Sequence, residues 1–263
     1  MDFKKCKLPK NLPAENPLQY APHFWLWKKY LLKYLNPQAE DAILDIGCGL
    51  GHCLDFLSKF SKNLVGLDND LPSILYAQKT TRANYVLGGA EKMPFKDNSF
   101  NKLISLVVLE HLQDDRSAIK EMWRVGKNKA EVLIMTPSLE GPRIYSKTRM
   151  SLHQNGSAKH FRDGYYLKDI KRLLNEAGIK IIAVRYTMFL FVELFTELTR
   201  VFYSKKQKVY QHQTDLFKVT SGKLFSLFKI IAPILGKLAL LEDFLFSHSK
   251  KGHTLVVKGK IEK

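Results

Sequence analysis

Short apolar runs at residues 42–46, 63–67, 84–87, 102–108, 131–135 and 179–186 alternate with longer mixed segments along this chain. In the mixed segments apolar side chains recur every three to four positions, the period of a helix with one buried face. The pattern predicts strands alternating with helices, which is how a parallel sheet wrapped by helices reads. The predicted helices cover 53–60, 72–80, 114–125 and 166–177, with Pro72 at a helix start, Asp114 and Asp115 favouring an N-terminus, and Gly178 as a C-terminal stop. A further amphipathic helix over 23–34 is stopped near Asn36-Pro37, and a last strand is expected over 253–260.

Between the sixth run and the last strand lie about sixty residues with two amphipathic stretches. In 188–202 the apolar residues fall at 188, 191, 192, 195, 198 and 202, opposite Glu193, Glu197 and Arg200. In 224–245, Leu224, Leu227, Phe228, Ile231, Ile234, Leu235, Leu238, Leu241 and Leu245 repeat at helical spacing, and Pro233 is expected to kink the helix. The longest uncharged run is too short to span a bilayer of ~30 Å. The expected organisation is an extension with an amphipathic helix (1–41), a core (42–186), a helical insertion (187–252) and the core's last strand (253–263).

Composition narrows the partners. With 42 Lys and Arg against 25 Asp and Glu, the formal charge is +17, which favours anionic partners: nucleic acid, an acidic substrate or the negative face of a membrane. Cys6, Cys48 and Cys53 are odd in number and lack metal-type spacing, which argues against a disulfide framework and a zinc site, so no metal is expected. The basic N-terminus runs into Pro9, Pro13 and Pro17 and does not read as a secretory signal, so a cytoplasmic location is expected.

The candidate chemistry begins directly after the first strand, at Asp45-Ile46-Gly47-Cys48-Gly49-Leu50-Gly51. A backbone turn that approaches a ligand closely has no room for Cβ atoms, and Gly47, Gly49 and Gly51 meet that need before a helix N-terminus. The second strand ends at Asp68, where an acidic side chain can accept hydrogen bonds from two ribose hydroxyls. Together these point to an adenosine-containing cofactor. A nicotinamide dinucleotide is disfavoured, because the third glycine of its fingerprint would fall at His52.

Four ordered motifs carry a resemblance over residues 40–185: Leu44 to Gly51, Val65-Gly66-Leu67-Asp68, Gly89 to Phe95, and Val108-Leu109-Glu110-His111-Leu112. They resemble the class I S-adenosylmethionine-dependent methyltransferases, especially the branch of ubiquinone and menaquinone methyltransferases. The resemblance implies an α/β, Rossmann-like, doubly wound sheet of seven mostly parallel strands, with an antiparallel last strand and a helical insertion before it. It implies S-adenosylmethionine as cofactor, with Gly47, Cys48, Gly49 and Gly51 holding its methionine part and Asp45 fixing their geometry. It also implies Asp68 on the ribose, Asn69 and the Ala90 backbone beside the adenine, and Val107 lining the methyl side.

The chain departs from that family at Gly89, where an aspartate usually bonds the adenine amino group; Glu91 is the candidate replacement. The family's sulfonium makes the methyl group electrophilic, so a base is needed only for a protonated acceptor. His111, His153 and His160 are the candidates, and the polar connection 140–164 is the candidate substrate lid.

The acceptor expected is small and lipophilic. Two placements of the insertion stay open: its apolar faces cover the core and roof a substrate pocket, or they lie on an anionic membrane surface. A nucleic-acid methyltransferase is the rival substrate class, disfavoured because no RNA-binding module or base-pocket motif is present. A non-catalytic scaffold with a degenerate site and a dehydrogenase are the remaining alternatives.

Overall fold

The computed structural model describes residues 17–141, 160–195 and 223–263. Its strands are β1 (Ala42–Ile46), β2 (Asn63–Asp68), β3 (Asn84–Leu87), β4 (Phe100–Leu106), β5 (Gly126–Pro137), β6 (Ile179–Thr187) and β7 (Thr254–Ile261). They form one sheet in the order β3-β2-β1-β4-β5-β7-β6, with the first five strands parallel and β7 antiparallel to both its neighbours. The expected doubly wound, mostly parallel sheet with an antiparallel last strand is what forms. The order reverses at β1, which lies between β2 and β4. In such sheets ligands bind outside the carboxyl ends of the strands at that reversal.

Helices cover both faces. α1 (Pro22–Tyr30), continued by a π-helical turn at Leu31–Leu35, lies on one face with α2 (His52–Leu57) and α3 (Leu71–Thr80). α4 (Asp115–Val125) and α5 (Leu167–Glu176) cover the other with Ile119, Met122, Ile170 and Leu174. Asp70 and Asp114 cap α3 and α4 by accepting from the backbone N–H of Ser73 and Ser117, a contact of about 1 kcal/mol each.

Several expected boundaries shift, three of them for visible reasons or by the widest margins. β4 ends at Leu106 rather than residue 108, because Val107 turns to a φ of +60°. β5 begins at Gly126 rather than 131: Gly126 pairs with Phe100, and a register shift then carries the polar Lys127-Asn128-Lys129 past the partner strand. α2 stops at Leu57, three residues early.

α6 (Lys223–Leu245) lies against α1, and it buries a different face from the one its leucines predict. Inward it turns Ala232, Ala239, Glu242 and Asp243, all buried, and Gly236, where a Cβ would come 2.3 Å from the Trp25 ring. Small residues let the two helix backbones approach, and the carboxylates find donors there.

Glu242 accepts from the backbone N–H of Leu190, Phe191 and Val192. Asp243 accepts from Lys29 Nζ at 2.6 Å, Tyr30 Oη at 2.9 Å and Thr187 Oγ1 at 2.5 Å.

His52, the first residue of α2, stacks on Trp27 with ring centroids 5.5 Å apart and meets Phe24 edge-on at 5.0 Å. Both its ring nitrogens are buried and find no partner among the described residues. Burial, and then the charges of His23 and Lys28, push its pKa down to about 3.

The neutral form is therefore the folded one, and its contribution is full above the ordinary imidazole range. It is lost as pH falls from ~6.5 toward 3, by ~1.4 kcal/mol per unit. At pH 5 the expected loss is about 2 kcal/mol relative to His52→Phe, which keeps the aromatic stack. Urea unfolding of both proteins at pH 7.5 and pH 5 tests this. Equal pH slopes would show that His52 charges freely in the fold.

Candidate functional site

At the carboxyl end of β1 the chain turns sharply through Gly47, at a φ of +72°, and Gly51, at +76°. A Cβ at 47 would meet Val108 Cγ2 at 2.4 Å, and one at 51 would meet Tyr85 Oη at 2.3 Å. Conformation and space therefore both require glycine. The turn is tied to β2: Gly47 and Cys48 donate to the Leu67 carbonyl at 2.7 and 3.0 Å, and Gly49 N–H donates to Asp68 Oδ2 at 2.7 Å.

Asp68 Oδ1 accepts a second backbone bond, from Asp70 N–H at 2.8 Å. Its carboxylate thus organises the turn, and the remaining lone pairs are left for a ligand hydroxyl. Burial raises its pKa, against the pull of the backbone donors.

Asp45 is buried one residue before the end of β1, and among the described residues no hydrogen-bond donor reaches its carboxylate. Burial first, and the charge of Asp68 second, raise its pKa well above the carboxylate range. A buried acid without a donor is costly in a finished fold, and at a ligand edge it marks where a donor is to arrive. Cys48, by contrast, points its Sγ under the sheet, into the space that the missing Cβ of Gly66 leaves. Burial raises its thiol pKa, and it can offer a ligand only backbone.

The other expected cofactor residues surround this turn. Asn69 is exposed, Ala90 is buried, and Gly89 is half-buried. A Cβ at residue 89 would lie 3.4 Å from Glu91 Oε2, so the Glu91 carboxylate comes close to where an aspartate at 89 would start. Val107 is half-buried at the end of β4, its left-handed backbone held by a 2.7 Å bond from its N–H to the Met135 carbonyl. For a β-branched residue that conformation is strained, and strain of this kind collects at functional sites.

After Val108 the chain makes a 3-10 turn, Leu109–His111. The His111 and His160 rings, far apart in sequence, lie edge to face with centroids 4.2 Å apart. Residues 160–165 are strapped to the turn. Phe161 and Arg162 N–H donate to the Glu110 carbonyl, and the Arg162 guanidinium donates to the carbonyls of Leu109 and Leu112, both at 3.0 Å. Arg162 also pairs with Asp115 at 3.0 Å, and Tyr165 Oη donates to Asp115 Oδ2 at 2.7 Å. His153 and most of the expected lid lie outside the described residues.

Sequence reasoning missed Arg162 and Tyr165, and met Glu110 only as part of a motif. The first two look like ordinary residues of a polar loop until the fold brings Leu109 beside them. Glu110 is fully buried, with Thr136 Oγ1 donating to its carboxylate at 3.3 Å. Among the described residues no cluster of His, Cys, Asp or Glu has the makings of a metal site.

Comparison with known proteins bears on this arrangement. The family described as "Methyltransferase domain" matches residues 44–134. The demethylmenaquinone methyltransferase of Oceanobacillus iheyensis is 26% identical over 188 residues, covering 60% of this chain and 78% of that protein. The ajmaline N-methyltransferase of Rauvolfia serpentina is 31% identical over 102 residues, 36% of this chain and 35% of its own length.

The chain thus spans about a third of the length of relatives such as that enzyme. Among solved structures, phosphoethanolamine N-methyltransferase 2 of Haemonchus contortus, in complex with S-adenosyl-L-methionine, superposes with a TM-score of 0.57. That match covers 97% of this chain and 61% of the other at 16% identity, a likeness of fold. The matched sequence, the strand order and the glycine turn at the sheet's reversal make residues 44–134 similar to a class I S-adenosylmethionine-dependent methyltransferase domain, with a likeness to the quinone methyltransferases.

Proposed function

We propose that the chain transfers a methyl group from S-adenosylmethionine to a small, lipophilic acceptor. The observation that carries the proposal is Asp45: a buried carboxylate to which none of the described residues donates a hydrogen bond, beside a glycine turn fixed by Asp68, at the sheet's reversal. Such a site suits a ligand with donors of its own, as the amino and ribose groups of the cofactor are. S-adenosylmethionine, when bound, supplies a methyl group already made electrophilic by its sulfonium.

In this reading the glycine turn and Asp45 hold the methionine part, Asp68 accepts from the ribose, and Asn69 and Ala90 flank the adenine. Glu91 accepts from the adenine amino group in place of the family's aspartate. Val107 shapes the methyl side, and the His111–His160 pair takes a proton from the acceptor. Lipophilicity is supported by the resemblance to a demethylmenaquinone methyltransferase.

Calorimetric titration with S-adenosylmethionine is the first test, and absence of heat would refute the proposal. Glu91→Ala is expected to weaken binding about fivefold, a net hydrogen bond of ~1 kcal/mol; unchanged affinity would remove Glu91 from the adenine. Incubation with cell extracts and a labelled methyl donor then reads the acceptor class. Label in the organic phase is expected. Label in RNA would favour the nucleic-acid rival, and binding without any release of S-adenosylhomocysteine would favour a scaffold.

A further inference from the structure

The face of α6 turned away from α1 is not a polar surface. Ile230, Ile234, Leu238, Leu241 and Leu245, spaced four, four, three and four residues apart, are 72%, 60%, 42%, 51% and 66% exposed. That spacing sets them in one stripe along the helix. Phe244 and Phe246 extend the stripe at its C-terminal end, and Leu190, whose N–H donates to Glu242, adds a further exposed apolar side chain. Contiguous apolar surface of this kind marks a contact with something other than water.

The charges of the helix identify the contact. Its only two carboxylates, Glu242 and Asp243, are turned inward and buried. The exposed charges along and after the stripe are all cations: Lys237 on the helix, then Lys250 and Lys251. An apolar face from which acids are excluded, edged by lysines, on a chain of formal charge +17, complements a surface with an oily interior and an anionic boundary. Long lysine side chains can keep their ammonium groups at headgroup level while their stems lie along the apolar layer.

No helix among the described residues is long and apolar enough to cross a membrane, so contact would be interfacial. We infer that the outer face of α6 is a docking surface for an anionic lipid bilayer, lying in its interface with Ile234, Leu238 and Leu241 inserted. The inference stands on this face alone and holds whether or not the chain transfers methyl groups.

The test is co-sedimentation of the full chain with vesicles of phosphatidylcholine alone and of phosphatidylcholine with about 30% phosphatidylserine, at low salt and at about 0.5 M salt. The expected result is recovery with the anionic vesicles, reduced several-fold by salt and by Lys237→Glu. The triple variant Ile234→Ser/Leu238→Ser/Leu241→Ser leaves the charge unchanged and replaces only exposed side chains, so its fold should persist by circular dichroism. It should pellet at least tenfold less with anionic vesicles.

Failure of the wild-type chain to pellet with anionic vesicles would overturn the inference. So would equal pelleting by the triple variant, which would leave charge alone as the cause. A dimer in solution that the triple variant abolishes, with no vesicle binding, would assign the face to a second copy of the chain instead.

Discussion

Replacing His111 by asparagine is expected to lower the rate of methyl transfer about a hundredfold, the ordinary contribution of a positioned general base, while leaving S-adenosylmethionine affinity as it was. Asparagine keeps a polar group on the 3-10 turn but cannot take a proton. The turn itself does not depend on the imidazole: Arg162 holds the Leu109 and Leu112 carbonyls, and Phe161 and Arg162 N–H hold that of Glu110. The substitution should therefore remove the proton acceptor without moving Val107 or Val108.

His160→Asn provides the contrast. Its ring meets His111 edge to face at 4.2 Å, so under the proposed function it would position the base, and its loss should then cost about tenfold. Steady-state rates of both variants, with an acceptor found by the labelling experiment, should differ in their pH dependence. The acid limb of the wild-type profile should vanish in His111→Asn and persist in His160→Asn. An unchanged rate for His111→Asn across about pH 5 to 8 would mean that the acceptor arrives already deprotonated or that water takes the proton.

The sheet was legible because each strand is a short apolar run bounded by residues that break it; β1 and β3 match the expected bounds residue for residue. The glycine turn was legible for the same reason, since a strand followed by three glycines and an aspartate after the next strand has few structural uses. What the pattern could not reveal was a residue acting against its type. Val107 reads as strand and adopts a left-handed backbone. Lys102, on a central strand, is buried because its ammonium reaches Asp41, Glu131 and the carbonyls of Leu35 and Asn36.

The α6 face is the clearest case. Periodicity ranks leucine and isoleucine as the buried stripe, yet the helix buries alanine, glycine and two acids, because close approach to α1 and the donors waiting there decide the matter. The pairing of His111 with His160 had no local signal either. It depends on Arg162 and Tyr165, which acquire their roles only when the chain returns past Leu109.

Asp243→Ala should be the most damaging single change to stability, costing about 4 kcal/mol. The carboxylate is almost wholly buried and takes hydrogen bonds from three residues on two elements: Lys29 and Tyr30 on α1 and Thr187 at the end of β6. Alanine would strand the two buried donors, Tyr30 and Thr187; the Tyr30 phenol has no access to solvent, and its pKa is already raised by burial and by the Asp243 charge. The Lys29 ammonium is 30% exposed, so it can turn to water and contributes the smaller share.

Asp243→Asn should be milder, about 2 kcal/mol, because an amide oxygen still accepts while the charge is lost. Tyr30→Phe removes one donor cleanly, and in a double-mutant cycle its cost should largely disappear in the Asp243→Ala background. Urea midpoints of the four proteins measure the coupling. If Asp243→Ala fell within about 1 kcal/mol of the wild type, α6 would be held to α1 by its small apolar residues alone, and the carboxylate would be a passenger in that contact.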